Sequence, residues 1–222
     1  MKLTEEHLYK ILKEQFYIKV PFLIEKSVIN EAVAAFLKFL NEPDKIKNHI
    51  DFSIAPKHRR GDVGFKHRKA DEGIYSDNKD FFHFHPAIFK QYDNFLKANP
   101  VVNDFILKAM PIWELSYKAV HQILSIFENK FPGIVDKVLD DKKSHLLLRF
   151  LKYEWEDSGK YLAKPHFDAG AFTLAIGESG PGLRIGSNND NLKAIEHKDR
   201  EAVFMLSSNF KKVLNTDELY TG

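Results

Sequence analysis

The sequence contains no cysteine, which excludes a disulfide framework, a zinc–thiolate site and a thiol nucleophile together. It contains no apolar run of membrane-spanning length, since a helical span needs roughly 20 consecutive apolar residues. An excess of one charge is missing too. Lys and Arg number 33 against 31 Asp and Glu, a formal net charge of +2, so composition gives no argument for a nucleic-acid or membrane-surface partner. The first residues, Met1 to Glu14, are charged and helical in pattern, unlike a secretory leader. No internal repeat, low-complexity tract or linker is visible. These absences leave a soluble, cytoplasmic protein as the expectation.

What is present is enough for a sizeable core. Of 222 residues, 44% are hydrophobic and 19 are Phe, a side chain that buries much area. Basic residues cluster in Lys57-His58-Arg59-Arg60 and Lys66-His67-Arg68-Lys69, which reads either as a solvated loop or as a lining for an anionic substrate.

The pattern predicts helices over the first two-thirds. Residues 4–15 read as a short helix, followed by an extended segment, Phe16 to Pro21. Ser27 is the expected N-cap of a helix whose apolar face is Ile29, Val33, Phe36, Leu37 and Leu40, stopped by Pro43. Residues 50–80 are charged and loop-like, with Gly61, Gly64 and Gly73. Pro86 opens a predicted helix to about Ala98, and Asn103 caps a long one containing Pro111, with a shorter helix near 133–139.

From Ser144 the character changes. Leu146-Leu147-Leu148-Arg149-Phe150-Leu151 suits a buried strand, and short candidates follow near 162–168, 171–176, 183–186, 192–196, 201–206 and 212–214, separated by turn residues. Many short strands indicate a sandwich or jelly-roll. The expectation is therefore one α+β domain over 1–222, with a mainly helical flank at 1–143 packed on a jelly-roll core at 144–222.

His-x-Asp occurs three times, as His49-Ile50-Asp51, His166-Phe167-Asp168 and His197-Lys198-Asp199. In a strand, residues two apart point to one side, so both side chains can bind one ion. One histidine and one carboxylate, with a second histidine from elsewhere, form the facial triad of non-haem iron(II). Context separates the three. His49 leaves a helix pattern for a charged loop, and His197 opens a charged turn, so both read as solvated. Only His166 is followed by strand alternation and a glycine-bounded hairpin.

The segment from His166 through Ala169-Gly170-Ala171-Phe172-Thr173-Leu174-Ala175-Ile176-Gly177, then Gly180-Pro181-Gly182-Leu183-Arg184-Ile185, resembles the isopenicillin N synthase-like branch of the 2-oxoglutarate and iron(II) oxygenases. That family shows His-x-Asp, a few small residues, Leu-Thr-Leu, then Gly-Leu-Gln-Val. Leu148-Arg149-Phe150-Leu151-Lys152-Tyr153 resembles its Leu-Arg-x-Asn-x-Tyr strand. Weaker likenesses lie at Phe16 to Val20, from Arg60-Gly61-Asp62 to Asp80-Phe81-Phe82-His83-Phe84, and at Ala202 to Ser208.

The resemblance implies a double-stranded β-helix (jelly-roll) core, with iron(II) held by His166 and Asp168 and 2-oxoglutarate as cosubstrate. Molecular oxygen would oxidise a small-molecule substrate by hydrogen abstraction, with succinate and carbon dioxide as coproducts. It implies Tyr153 as a polar contact for 2-oxoglutarate, although a half-buried strand tyrosine bonded locally is an equal reading. Phe167 and Phe172 are expected to pack around the ligands. Arg184 replaces the usual Gln and reads as a surface residue or a pocket charge. His83 and His85 share one side of an extended segment but lack a third ligand. With His58 and His67 they fall where the family borders its substrate mouth.

Two departures matter. Leu151 stands where many members have Asn. The family's third ligand, a downstream histidine, and the following arginine for the 2-oxoglutarate carboxylate are expected beyond Gly222, because a jelly-roll without its last strands exposes open edges. The alternatives are an oxidase of the same fold that works without 2-oxoglutarate, a catalytically inactive jelly-roll kept for binding, and zinc hydrolysis, which lacks a general base beside the pair.

Overall fold

The computed structural model describes residues 4–54, 62–69, 77–139, 146–154, 162–168, 170–188, 190–207 and 209–215. In chain order the elements are α1 (Glu5–Gln15), β1 (Tyr17–Pro21), α2 (Lys26–Phe39), α3 (Asp44–Lys47), β2 (Asp51–Ser53), β3 (Asp62–Arg68), β4 (Lys79–Phe84), α4 (Ala87–Gln91) and α5 (Asp93–Ala98). They continue with α6 (Pro100–Phe127), α7 (Ile134–Val138), β5 (Leu148–Tyr153), β6 (Phe172–Ala175), β7 (Arg184–Ile185), β8 (Lys193–Ala194), β9 (Glu201–Leu206) and α8 (Phe210–Leu214). Helices and antiparallel sheets are thus mixed in one chain. No helix among the described residues is long and apolar enough to cross a membrane. The basic cluster at 57–60, with Gly61 and Gly73, lies outside the described residues.

The chain forms two compact units. The first comprises Met1–Lys26, Leu115–Ser144 and Pro165–Gly222. Its three-stranded sheet has the order β1-β9-β6, all antiparallel. β9 is central because Ala202 to Leu206 are apolar and buried on both faces, which suits a strand covered on both sides. Tyr17 pairs with Met205 and Pro21 with Glu201, while Phe172 pairs with Leu206 and Ala175 with Val203. Ile185, Ile195, Val203 and Met205 form a core on which Phe16, Tyr17, Ala175 and Leu183 pack. Helix α1 starts where Thr4 accepts a hydrogen bond from the His7 amide at 3.3 Å. It ends at Phe16, whose φ of 68° is left-handed and whose amide reaches Leu12 O at 3.1 Å.

The second unit comprises Ser27–Glu114 and His145–Lys164. Its antiparallel sheet has the order β2-β3-β4-β5. Phe65, Phe82 and Phe150 project from one face onto Phe36, Phe39 and Phe105, with ring centroids 5.1–6.0 Å apart across the sheet–helix contacts. Much of the phenylalanine content is spent here.

Several expectations need correction. Residues 50–80 are not all loop, since β2, β3 and the start of β4 lie there. β3 reads as loop because its second half is charged, yet Lys66 pairs with Asp51, His67 with Asp80 and Arg68 with Asp77. Ser27 does not cap α2, which begins at Lys26, and the buried stripe is Ala32, Ala35, Phe36 and Phe39. Val33 and Leu37 are exposed; the two alanines carry the stripe that the bulkier residues were expected to form. The helix at 86–98 breaks at Tyr92 (φ −124°) into α4 and α5, and the Tyr92 hydroxyl bonds both the amide and the carbonyl of Asp51 at 3.2 Å. α6 starts at Pro100, three residues before Asn103. Residues 162–168 form no strand, and 212–214 belong to helix α8.

Candidate metal centre

His166 and Asp168 sit in the irregular segment just before β6. The strand argument for their facing one side therefore fails, but the two side chains do meet. His166 Nε2 lies 3.7 Å from Asp168 Oδ1, with the side chains 59% and 39% exposed. Two donors bound at right angles to one ion at about 2.1 Å stand about 3 Å apart, so a small rotamer adjustment brings this pair onto a metal. One imidazole and one carboxylate suit iron(II), and the pair fits as two of its ligands.

Asp168 is oriented by the sheet. Its Oδ2 accepts a hydrogen bond from Thr173 Oγ1 at 2.6 Å. Thr173 lies on β6 opposite Met205, and its hydroxyl is also 3.1 Å from Ser207 Oγ, just beyond β9. The Ser207 amide donates to Ala171 O at 2.9 Å and that of Asn209 to Gly170 O at 3.0 Å, tying the segment down. Phe172 stacks at a tilt on Phe204, centroids 5.5 Å apart. Phe167 departs from expectation: it lies on irregular backbone between His166 and Asp168 and is 52% exposed.

No third donor joins this pair in a group of three among the described residues. His197, expected in a solvated turn, is instead mostly buried. Among the described residues neither ring nitrogen has a hydrogen-bond partner, and Glu178 Oε1 is 3.8 Å from Nδ1. Burial pushes its pKa down, Glu178 opposes that shift, and Lys19 adds to it. His49 stacks on Phe95 with centroids 4.0 Å apart, an aromatic contact rather than a ligand role.

The remaining candidates, Arg184 of the first unit aside, belong to the second unit. Tyr153 ends β5 opposite Lys79 in register, half-buried, with the Lys79 ammonium 5.3 Å from its ring centroid. Lys79 is buried against Asp77 at 2.5 Å. Burial lowers the Lys79 pKa, and Asp77 only partly restores it. For Asp77 burial acts upward, but the Lys79 and Arg68 cations outweigh it and the net shift is down. Leu151 is 41% exposed and Arg184 is exposed. His67, Asp80 and Glu154 bring three donors within 4.8 Å, where a 2.7 Å His67–Asp80 hydrogen bond accounts for two of them without an ion.

His83 and His85 are not a metal pair. His85 Nδ1 accepts from the Ala87 amide at 3.1 Å. Both His83 nitrogens are engaged: Nδ1 donates to Asp62 O at 2.8 Å and Nε2 accepts from Arg149 Nε at 2.8 Å. Burial first and the Arg149 cation second hold its pKa down at about 4, against an ordinary 6.5. The unfolded chain takes up this proton near 6.5 and the folded chain only near 4. Stability is therefore fully present above the higher value and lost as pH falls from 6.5 towards 4. The loss from this group is about 3 kcal/mol. Urea unfolding at pH 7.5 and pH 4.5 is expected to show the drop, and His83→Gln to flatten it. Equal pH slopes in both proteins would refute the assignment.

Thr173 and Ser207 are the side chains that sequence reasoning missed. Thr173 carries a signal, as the middle residue of Phe172-Thr173-Leu174 in the Leu-Thr-Leu position. Ser207 carries none.

No protein-family model and no curated protein matches the sequence, but solved structures match the fold. A full-length Neurospora crassa protein solved with alpha-KG, which is 2-oxoglutarate, superposes with a TM-score of 0.68 at 17% identity, over 98% of this chain and 70% of that one. An Arabidopsis thaliana dioxygenase for auxin oxidation, solved with 2-oxoglutarate, gives 0.63 at 12% identity, over 93% and 76%. JOX2, solved with 2OG, Fe and JA, gives 0.58 at 13%, over 97% and 64%. The chain has the fold of the 2-oxoglutarate and iron(II) oxygenases.

Proposed function

We propose that this protein is a non-haem iron(II) oxygenase that uses 2-oxoglutarate and molecular oxygen to oxidise a small molecule by hydrogen abstraction. The observation that carries the reading is the His166–Asp168 pair, 3.7 Å apart and tied to β6 through Thr173, in a chain with this fold. His166 and Asp168 are the proposed protein ligands of the iron. The jelly-roll core of the proposal contains the antiparallel strands β6 to β9.

Iron(II) with 2-oxoglutarate supplies the oxidising chemistry when bound. The chain's own residues have the remaining tasks. Asp168 contributes negative charge that attracts the cation, and His166 a neutral nitrogen donor. The hydroxyl of Thr173 fixes one carboxylate oxygen. A small-molecule substrate is favoured because the Neurospora crassa protein has also been solved with thymine and with 5-formyluracil.

The resemblance of Leu148 to Tyr153 extends the proposal to Tyr153 as a contact for 2-oxoglutarate. Tyr153→Phe is expected to raise the dissociation constant for 2-oxoglutarate about 10- to 100-fold, the loss of one hydrogen bond to a charged group, with iron affinity unchanged. Unchanged 2-oxoglutarate binding would remove Tyr153 from the site.

The test of the whole reading is an anaerobic titration of iron(II) into the full-length protein with 2-oxoglutarate, read by the weak visible charge-transfer band of the ternary complex. The band is expected in wild type and not in His166→Ala. Tight iron binding without a band would favour the oxidase that needs no 2-oxoglutarate, to which Leu151 in place of Asn points. Neither band nor iron binding would leave a binding module.

A further inference from the structure

We propose that Thr173, backed by Ser207, is a positioning residue that presents Asp168 to the metal through Oδ1 alone. The proposal rests on the reading that His166 and Asp168 hold iron, and it concerns how the carboxylate is held.

Hydrogen accounting gives the direction of the relay. An ionised carboxylate only accepts, so the single hydroxyl hydrogen of Thr173 lies in its 2.6 Å contact with Asp168 Oδ2, within the range of a charge-assisted O–H···O⁻ bond. Thr173 Oγ1 then has only lone pairs to offer Ser207, so Ser207 Oγ is the donor across the 3.1 Å contact. The order is Ser207 to Thr173 to Asp168. Donation from Ser207 polarises the Thr173 hydroxyl and strengthens its bond to the carboxylate.

Location makes the relay matter. Asp168 and His166 lie on irregular backbone and are 39% and 59% exposed, where a free carboxylate would sample several rotamers. Thr173 is held in the β6–β9 ladder. Ser207 is 1% exposed, and its amide is bonded to Ala171 O. Both hydroxyls are therefore fixed to the sheet, and through them so is Oδ2. Oδ1 is the oxygen 3.7 Å from His166 Nε2. With Oδ2 engaged by a short hydrogen bond, ligation of a bound cation by both oxygens would be disfavoured.

The test measures metal binding rather than turnover. In the full-length protein, Thr173→Val is expected to weaken iron(II) binding about 10- to 100-fold, the usual cost of losing a partner of a metal ligand. Thr173→Ser, which keeps the hydroxyl, is expected to restore binding to within about threefold of wild type, and Ser207→Ala to weaken it by less than Thr173→Val. Loading with cobalt(II) gives a second readout. The visible spectrum should change in Thr173→Val, where the carboxylate loses this hydrogen bond, and match wild type in Thr173→Ser. Val suits a strand, and if Thr173→Val nevertheless fails to fold, Ser207→Ala decides. Wild-type affinity and spectrum in a folded Thr173→Val, or unchanged affinity in Ser207→Ala, would overturn the relay while leaving the iron site standing. Absence of metal binding in wild type would instead defeat the underlying reading.

Discussion

Asp168→Ala and His166→Ala are each expected to lower the affinity for iron(II) more than about a hundredfold, so that no stoichiometric iron survives dialysis. The lower bound follows from the cost of merely losing a partner of a ligand, about 10- to 100-fold; loss of a ligand must exceed it. The effect is expected to be larger at Asp168. Alanine there removes a negative charge as well as a donor, and it takes from the Thr173 hydroxyl its 2.6 Å acceptor. Asp168→Asn separates the two contributions, because the amide keeps an oxygen for Thr173 but gives up the charge. His197→Gln is the control: among the described residues this mostly buried ring has no hydrogen bond to either nitrogen and joins no three-donor group with the pair, and its replacement should leave iron binding unchanged. Stoichiometric iron in both alanine variants would end the assignment of this pair. Loss of iron in His197→Gln alone would move the centre.

The proximity of His166 and Asp168 was legible in the sequence, although the geometric reason offered for it does not hold. Strand alternation was expected to bring the side chains together, whereas the regular strand begins only at Phe172. The motif and its Leu-Thr-Leu-like continuation identified the residues; the backbone found another way to join them. Strands written in apolar side chains were also legible, as in β1 and β9. Elements stabilised by pairing across strands were not. β3 carries Lys66, His67 and Arg68, and nothing local says that Asp51, Asp80 and Asp77 await them. The phase of α2 was misread because Ala32 and Ala35 do the burying. Ser207 lies 34 residues from Thr173, so their contact depends on the β6–β9 register. His197 shows the reverse error, since a polar, charged setting in sequence concealed a mostly buried ring.

The same distinction between local signal and tertiary context governs Gly64, which a sequence reader files as one more loop glycine. It lies inside β3, paired with Asp51 of β2 on one side and His83 of β4 on the other. Its φ is +113°, in a region that essentially only glycine occupies, at a cost of order 1–3 kcal/mol for other residues. A Cβ there would stand 1.9 Å from Ile50 O and 2.9 Å from Ile50 C. Neither atom can retreat easily, because Ile50 is 1% exposed and leads directly into β2. Gly64→Ala is therefore expected to cost more than about 3 kcal/mol, at the severe end for a single substitution, and to lower the thermal midpoint by more than about 6 °C. Gly133 provides the comparison. Its φ of +78° is also positive, but an added Cβ would meet nothing within 4 Å, so Gly133→Ala carries only the backbone cost, about 1–2 kcal/mol. Thermal unfolding of the two variants beside wild type separates the terms. A clearly larger drop for Gly64→Ala would establish that β3 runs against the Ile50 carbonyl. Equal, small drops would mean that the two strands do not approach so closely and that the register of β2 on β3 must be redrawn.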